Sequence, residues 1–418
     1  MLAPSRPPSV RRSLLVVAAL LSATAFALPA GAQPPGLPEG LQLPEGLRPA
    51  APADGPPAPA AVWAKTVEDR VTALAFSPDG ETLAVGTFEA VELLGAEDGE
   101  PVRTLKTRSG FAEALRWAEP GVLTVGDYRR VTRWDPDAGR GLKKFTGPRG
   151  YVTGLAVSDD ALFAGAEDGT VRRWPGDSEP VVVQPLGEES RVPARGLAVH
   201  GDRLAVVFGD PNRDTKGGPA FLLDAATLDA LFPLPTHTRA AECVTFSTGG
   251  GYVLTGGADE TARLSRFDEQ GEPQPVGRYG GHARPVNAAL GLPSDDSQPL
   301  FATGSGGRAK GGNELRVWRF EPEEVKAEGE QVEGAADEDG PAGKVRDLAA
   351  IGDFEGPVRS LALSPDETLL AVGDDAGAVR LYRVADLTAD PPAADGTGDE
   401  QTNEADDDPD APAAEPEP

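Results

Sequence analysis

The sequence predicts an all-β molecule: a closed ring of seven small antiparallel sheets. Three observations predict it. A short phrase returns about every 40 residues, each copy alternates apolar with polar residues, and a strand ahead of the first copy supplies what the last copy lacks.

The phrase is clearest at its two ends. Val71-Thr72-Ala73-Leu74-Ala75-Phe76-Ser77-Pro78-Asp79-Gly80 precedes Leu83-Ala84-Val85-Gly86, and Val358-Arg359-Ser360-Leu361-Ala362-Leu363-Ser364-Pro365-Asp366 precedes Leu369-Leu370-Ala371-Val372-Gly373. Between them come Phe111–Trp117, Val152–Ser158, Ala194–Val199, Cys243–Ser247 and Val286–Leu290, which makes seven copies. Each leads to an outer strand ending near an aromatic or aliphatic residue, as at Val131-Thr132-Arg133-Trp134-Asp135, Thr170–Trp174, Leu315–Trp318 and Val379–Tyr382. Such runs, punctuated by Gly, Asp and Pro, are half-buried antiparallel strands. One such sheet cannot bury both faces, so sheets must stack. After Tyr382 the chain passes toward an acidic tail without a fourth strand. Ala61-Val62-Trp63-Ala64-Lys65-Thr66 is expected to supply it and zip the ring shut, removing two exposed edges.

In these copies the chain resembles WD40-repeat proteins over residues 61–387. Trp134-Asp135 keeps the family's namesake dipeptide and Gly281-His282 its Gly-His pair. The resemblance implies a seven-bladed β-propeller that docks partners through one rim, called the top. It also implies that a histidine about four residues before a first strand ties a blade together. His282 stands so before Val286 and His237 before Ala241, with Asp259 placed to orient His237.

The segments outside the ring read differently. Arg6, Arg11 and Arg12, an apolar stretch from Ser13 to Leu28, and Ala30-Gly31-Ala32 have the pattern of a signal peptide over residues 1–32. Export to a periplasmic or extracellular space is therefore expected, with no integral membrane span after cleavage. Residues 33–60 form a Pro/Ala-rich linker. An acidic insert at 321–344 enlarges blade six. Residues 388–418, with eleven acids and no Lys or Arg, read as a disordered acidic tail.

The 418-residue chain has a formal net charge of −28, which excludes nucleic acid as a general partner. No cofactor motif, nucleophile elbow or histidine–cysteine cluster occurs, so no cofactor, metal or enzymatic activity is expected. Cys243, the single cysteine, lies in an apolar-alternating run and reads as a buried inert thiol. Asp210–Asp214 alternates oxygen ligands as calcium loops do. Thr215 and Phe221 occupy the positions that need Gly and an acid, so the segment reads as a solvated turn. Trp117, Trp134, Trp174 and Trp318 recur at blade spacing and read as core between blades.

The charge pattern is less bland. The connections entering six blades carry Arg70, Arg108, Arg149, Arg191, Arg239 and Arg284, with Arg129, Arg130, Arg213, Lys216, Arg308 and Lys310 on other connections of that rim. Acid pairs such as Asp79 and Glu81, Asp159 and Asp160, and Asp366 and Glu367 fall on the opposite one. The expected function is an exported, monomeric scaffold that holds protein partners, an acidic surface among them, through the arginine-bearing rim. The alternative is an enzyme or small-ligand-binding propeller with its site at the central channel, which a deep axial cavity lined by carboxylates would favour.

Overall fold

The structure is a computed structural model. It describes residues 58–389, apart from 177, 188–189, 211–216, 308–310 and 324–342. The expected signal peptide, most of the linker, the middle of the insert and the acidic tail lie outside the described residues. So do most of the 210–214 turn and the rim residues Arg213, Lys216, Arg308 and Lys310.

The described chain is all-β apart from one short helix, Val384–Thr388. Its strands form a β-propeller of six hydrogen-bonded sheets. Four sheets take four consecutive antiparallel strands each, within residues 73–111, 194–237, 241–279 and 286–351. A fifth joins Val358–Leu363, Leu369–Asp374 and Ala378–Arg383 to Trp63–Thr66 from the other end of the chain. The sixth, within residues 114–183, has six strands.

That sixth sheet is where the count departs from seven. Arg140–Val157 runs as one unbroken strand; residues 140–151 pair with Val122–Asp135, and residues 152–157 pair with Ala161–Ala166. Two copies of the sequence phrase are thus fused by continuous hydrogen bonding, a connection that the period alone does not reveal.

Closure follows the sequence expectation. Trp63 pairs with Leu381, Ala64 with Arg380, Lys65 with Val379 and Thr66 with Ala378. The Val62 amide adds a bond of 2.6 Å to the Leu381 carbonyl, and the Trp63 indole donates to the Ala96 carbonyl at 2.9 Å. After Tyr382 the chain supplies no further strand among the described residues, as expected. A helical turn follows and buries Val384 and Leu387 in one cluster with Leu348 and Ile351, beside the strand that Trp63–Thr66 adds to that sheet.

The core lies between sheets. All six residues of Ala161–Ala166, Tyr252–Gly257 and Leu300–Ser305 are buried, because each second strand has sheets on both faces. The glycine that ends the repeated phrase marks where the next sheet arrives. A Cβ at Gly304 would lie 2.4 Å from Val358, and one at Gly373 would lie 2.4 Å from Val71. The second contact joins the last sheet to the first, so the glycine is a packing requirement around the whole ring. Trp174 and Trp318 are core, as expected, whereas Trp117 and Trp134 are only partly buried.

Candidate interaction site at the axial mouth

Seven inner strand segments, two of them from the six-stranded sheet, neighbour one another around the axis. In each copy the polar residue that follows the first buried apolar residue of the inner strand segment faces the axis. The residues so placed are Thr72, Glu113, Thr153, Arg195, Glu242, Asn287 and Arg359, and all seven line a cavity of about 660 Å³. Arg70, Tyr151, Glu167, Arg239 and Asp375 reach it from the connections around its mouth. Sequence reasoning missed the inner seven. Their signal was available, because each is a polar residue held in the same register of an otherwise apolar phrase.

These residues bind the ring together as well as line it. Thr72 Oγ1 donates to the Ala112 carbonyl at 2.6 Å, Thr153 donates to the Ala194 carbonyl, and Asn287 Nδ2 donates to the Val358 carbonyl at 3.4 Å. Each bond crosses from one copy of the phrase to the next. Arg195 crosses likewise, with Nε and Nη2 at 2.9 and 2.8 Å from Glu242 Oε2. Burial works against the Arg195 charge, but the Glu242 carboxylate outweighs it and leaves the guanidinium pKa raised. Arg359 holds Asp375 at 3.0 Å, and Arg70 lies 3.6 Å from Glu113. Burial raises the Glu113 pKa against the pull of Arg70, Arg195 and Arg359. The mouth therefore carries four arginines and four carboxylates in mutual compensation, not a field of one sign.

The six arginines expected to form a docking rim divide into two groups. Arg70, Arg239 and Arg284 serve the ring: Arg70 stacks over the Phe111 ring at 3.7 Å, Arg239 donates to the Ala258 carbonyl at 3.0 Å, and Arg284 donates to the Gly311 carbonyl at 3.3 Å. Arg108, Arg149 and Arg191 are exposed. On the acidic side, part of the pattern is turn chemistry. Ser77 donates to Asp79 at 2.5 Å, Ser158 to Asp160 at 2.8 Å and Ser364 to Asp366 at 2.5 Å. These hydroxyl bonds lower all three carboxyl pKa values.

The histidines behave as the family resemblance implied. His237 is buried, with Nδ1 2.9 Å from Asp259 and Nε2 2.9 Å from Thr255 Oγ1. His282 repeats the arrangement with Glu314 at 3.0 Å and Thr303 at 2.8 Å, and the Trp318 indole adds a bond to Thr303 at 3.1 Å. Burial opposes ionisation of Asp259. Bonds from His237, Thr238 and Thr261 outweigh that and hold its pKa well below the usual carboxylate range. Glu314 is lowered in the same way, burial being overcome by His282 and Arg316. His200 is exposed, with its ring 5.9 Å from that of Phe246. Cys243 is buried, and burial pushes its thiol pKa far up, so it is no nucleophile at neutral pH. Among the described residues no cluster of histidine, cysteine and acidic side chains has metal-binding geometry, and no helix is long and apolar enough to cross a membrane.

A ring of radially stacked antiparallel sheets, closed by its first strand and pinned by histidine–carboxylate–threonine bridges, defines the class: a repeat-built β-propeller. Family models over parts of the chain and a solved structure of similar fold support a WD40-repeat β-propeller. Residues 139–175, 229–264 and 349–383 match the WD domain, G-beta repeat, and residues 60–120 match the anaphase-promoting complex subunit 4 WD40 domain. Among solved structures, a chain in the crystal structure of a mitotic checkpoint complex is similar in fold. It is 19% identical, with a TM-score of 0.60, over 81% of this chain and 99% of that one. WD40 propellers are typically non-enzymatic scaffolds for protein interaction.

Proposed function

We propose that this propeller is a non-enzymatic scaffold that holds a protein partner on the face where the axial mouth opens, and that its ring counts seven blades. The blade count rests on the six-stranded sheet, which carries two copies of the phrase and two separate ladders on one continuous strand. The docking reading rests on one observation. Connections from independent repeats, bearing the exposed Arg108, Arg149 and Arg191, surround a polar mouth on a frame that is bonded from copy to copy. A rigid frame with separately variable loops lets several weak contacts act together, with charge-assisted bonds from arginine favouring an acidic partner surface. The similar chain in the mitotic checkpoint complex belongs to a multi-protein assembly, which agrees with that use of the fold.

We also assign residues 1–32 as a cleaved export signal, 33–60 as a tether, 61–387 as the propeller and 388–418 as an acidic tail. N-terminal sequencing of protein recovered from cell fractions tests the first assignment. A chain that retains Met1 in the cytoplasm overturns it. Docking is tested by affinity capture with the purified protein beside its Arg149→Glu and Arg191→Glu variants. Species held by the native ring and lost from both variants support the reading. A stable complex that survives both changes overturns it.

A second reading has one observation in its favour: the axial cavity has the volume of a small-molecule site and four carboxylates in its lining. Three of the four face an arginine and Glu167 accepts the Tyr151 amide, so the lining suits an uncharged or zwitterionic molecule better than a cation. A thermal shift of the purified protein with amino acids and small polyols separates this reading from the scaffold.

A further inference from the structure

The face that carries the axial mouth also carries an apolar strip. Phe88 and Tyr128 are 46% and 47% exposed, each in a hairpin tip on the connection between two strands. Each meets a second ring across its ladder, Phe88 with Phe111 at 4.9 Å between centroids and Tyr128 with Tyr151 at 5.2 Å, both at 60°. The hairpin is built the same way twice. Glu89 and Arg129, the residues that follow the exposed rings, share a left-handed backbone with φ of 55° and 65°. The two pairs are also neighbours, because a Cβ on Gly110, just before Phe111, would lie 2.5 Å from the Tyr151 hydroxyl. A single exposed ring on a protein surface is ordinary. Four rings in one strip beside a polar mouth mark a contact surface.

Its charge says what covers it. Arg108, Arg129 and Arg149 are exposed on these same connections, against Glu89 on the first hairpin. The rings want flat, rigid apolar groups and the guanidinium forks want carboxylates. The chain's own residues 390–418 offer both, with eleven acids, six prolines and no Lys or Arg. Proline-bearing segments adopt an extended three-residue turn that stacks on aromatic rings, and Pro409 and Pro412 then share one face about 9 Å apart. Reach is sufficient. The stretch from Thr388 to Pro409 spans up to about 65 Å in that conformation, whereas the sheets are about 20 Å tall.

We infer that residues 390–418 dock along this strip of the same chain, proline to ring and acid to arginine, and cover the face proposed above for a partner. The docking does not depend on a partner being found there, because its test follows the segment itself. A glutamate-specific endoprotease is applied to the full chain, and cleavage after Glu400 and Glu404 is compared with that of a synthetic 390–418 peptide at equal concentration. At low salt the segment in the chain is cut about tenfold more slowly than the peptide, since cleavage tracks the undocked population. The protection is lost at about 0.5 M NaCl, where surface charges are screened. It is also lost in the double variants Phe88→Ala/Tyr128→Ala and Arg108→Glu/Arg149→Glu. Equal rates for chain and peptide, or protection that survives both double variants, overturn the inference. Protection that grows with protein concentration moves the segment to a second copy and overturns the intramolecular form. The salt series on the unmodified chain requires no variant to fold.

Discussion

The sheets within residues 241–279 and 286–351 use one position of the repeat differently from those that begin at Ala73 and Ala114. Five residues before the axis-facing residue, the former pair has His237 and His282, each buried and bonded to a carboxylate and a threonine. The latter pair has Val67, whose buried side chain is apolar, and Arg108, exposed at φ 55°. Where the histidine is present, its buried ring ties the neighbouring hairpin to the sheet. Where it is absent, the hairpin tips at Phe88 and Tyr128 are held by ring contacts on the surface. The same backbone thus gives a rigid rim on one side of the ring and an available one on the other. A repeat protein can assign framework and recognition to different copies of one unit.

This comparison breaks first on stability. His237→Ala leaves Asp259 and Thr255 short of a partner in the core and costs about 3 kcal/mol in urea unfolding, and His282→Ala costs a similar amount. The comparison then sharpens on pH. The folded pKa values of Asp259 and Glu314 lie below their unfolded values, so both groups contribute stability that is present above pH ~4 and lost as pH falls through the folded values. Native protein therefore loses on the order of 2 kcal/mol between pH 5 and pH 3 from these bridges, and Asp259→Asn flattens that slope. Phe88→Ala and Tyr128→Ala, at rings about half exposed, cost no more than about 1 kcal/mol each and leave the pH slope unchanged. If either costs as much as His237→Ala, the strip is framework and the contrast fails. The smallest difference is one of local opening. Amides of residues 88–90 and 128–130 exchange with deuterium faster than those of 255–261, measured in one experiment on the native chain.

Much of the fold was legible in the sequence because burial on a repeating surface leaves a repeating record. The period and the closing strand at Trp63–Thr66 follow from residue type and spacing, and the roles of His237, His282 and Asp259 from the resemblance to a known family. The ends of the copies were less legible. Nothing in the composition of residues 140–157 says that one strand serves two ladders, and nothing after Tyr382 announces the turn that buries Leu387. The site was legible in part. Counting arginines identified the connections around the mouth but not which side chains were committed elsewhere, since Arg70, Arg239 and Arg284 bond to the ring itself.

The sequence by itself determined that the chain is a closed ring of antiparallel sheets, because apolar alternation at a fixed period has few other ways to bury both faces of each unit. The tertiary structure alone decided which polar residues meet. Arg195 and Glu242, 47 positions apart, become one ion pair, and Gly110 comes to rest against Tyr151. Such pairings depend on the angle and separation at which neighbouring sheets stack, quantities that arise only when the whole ring is packed.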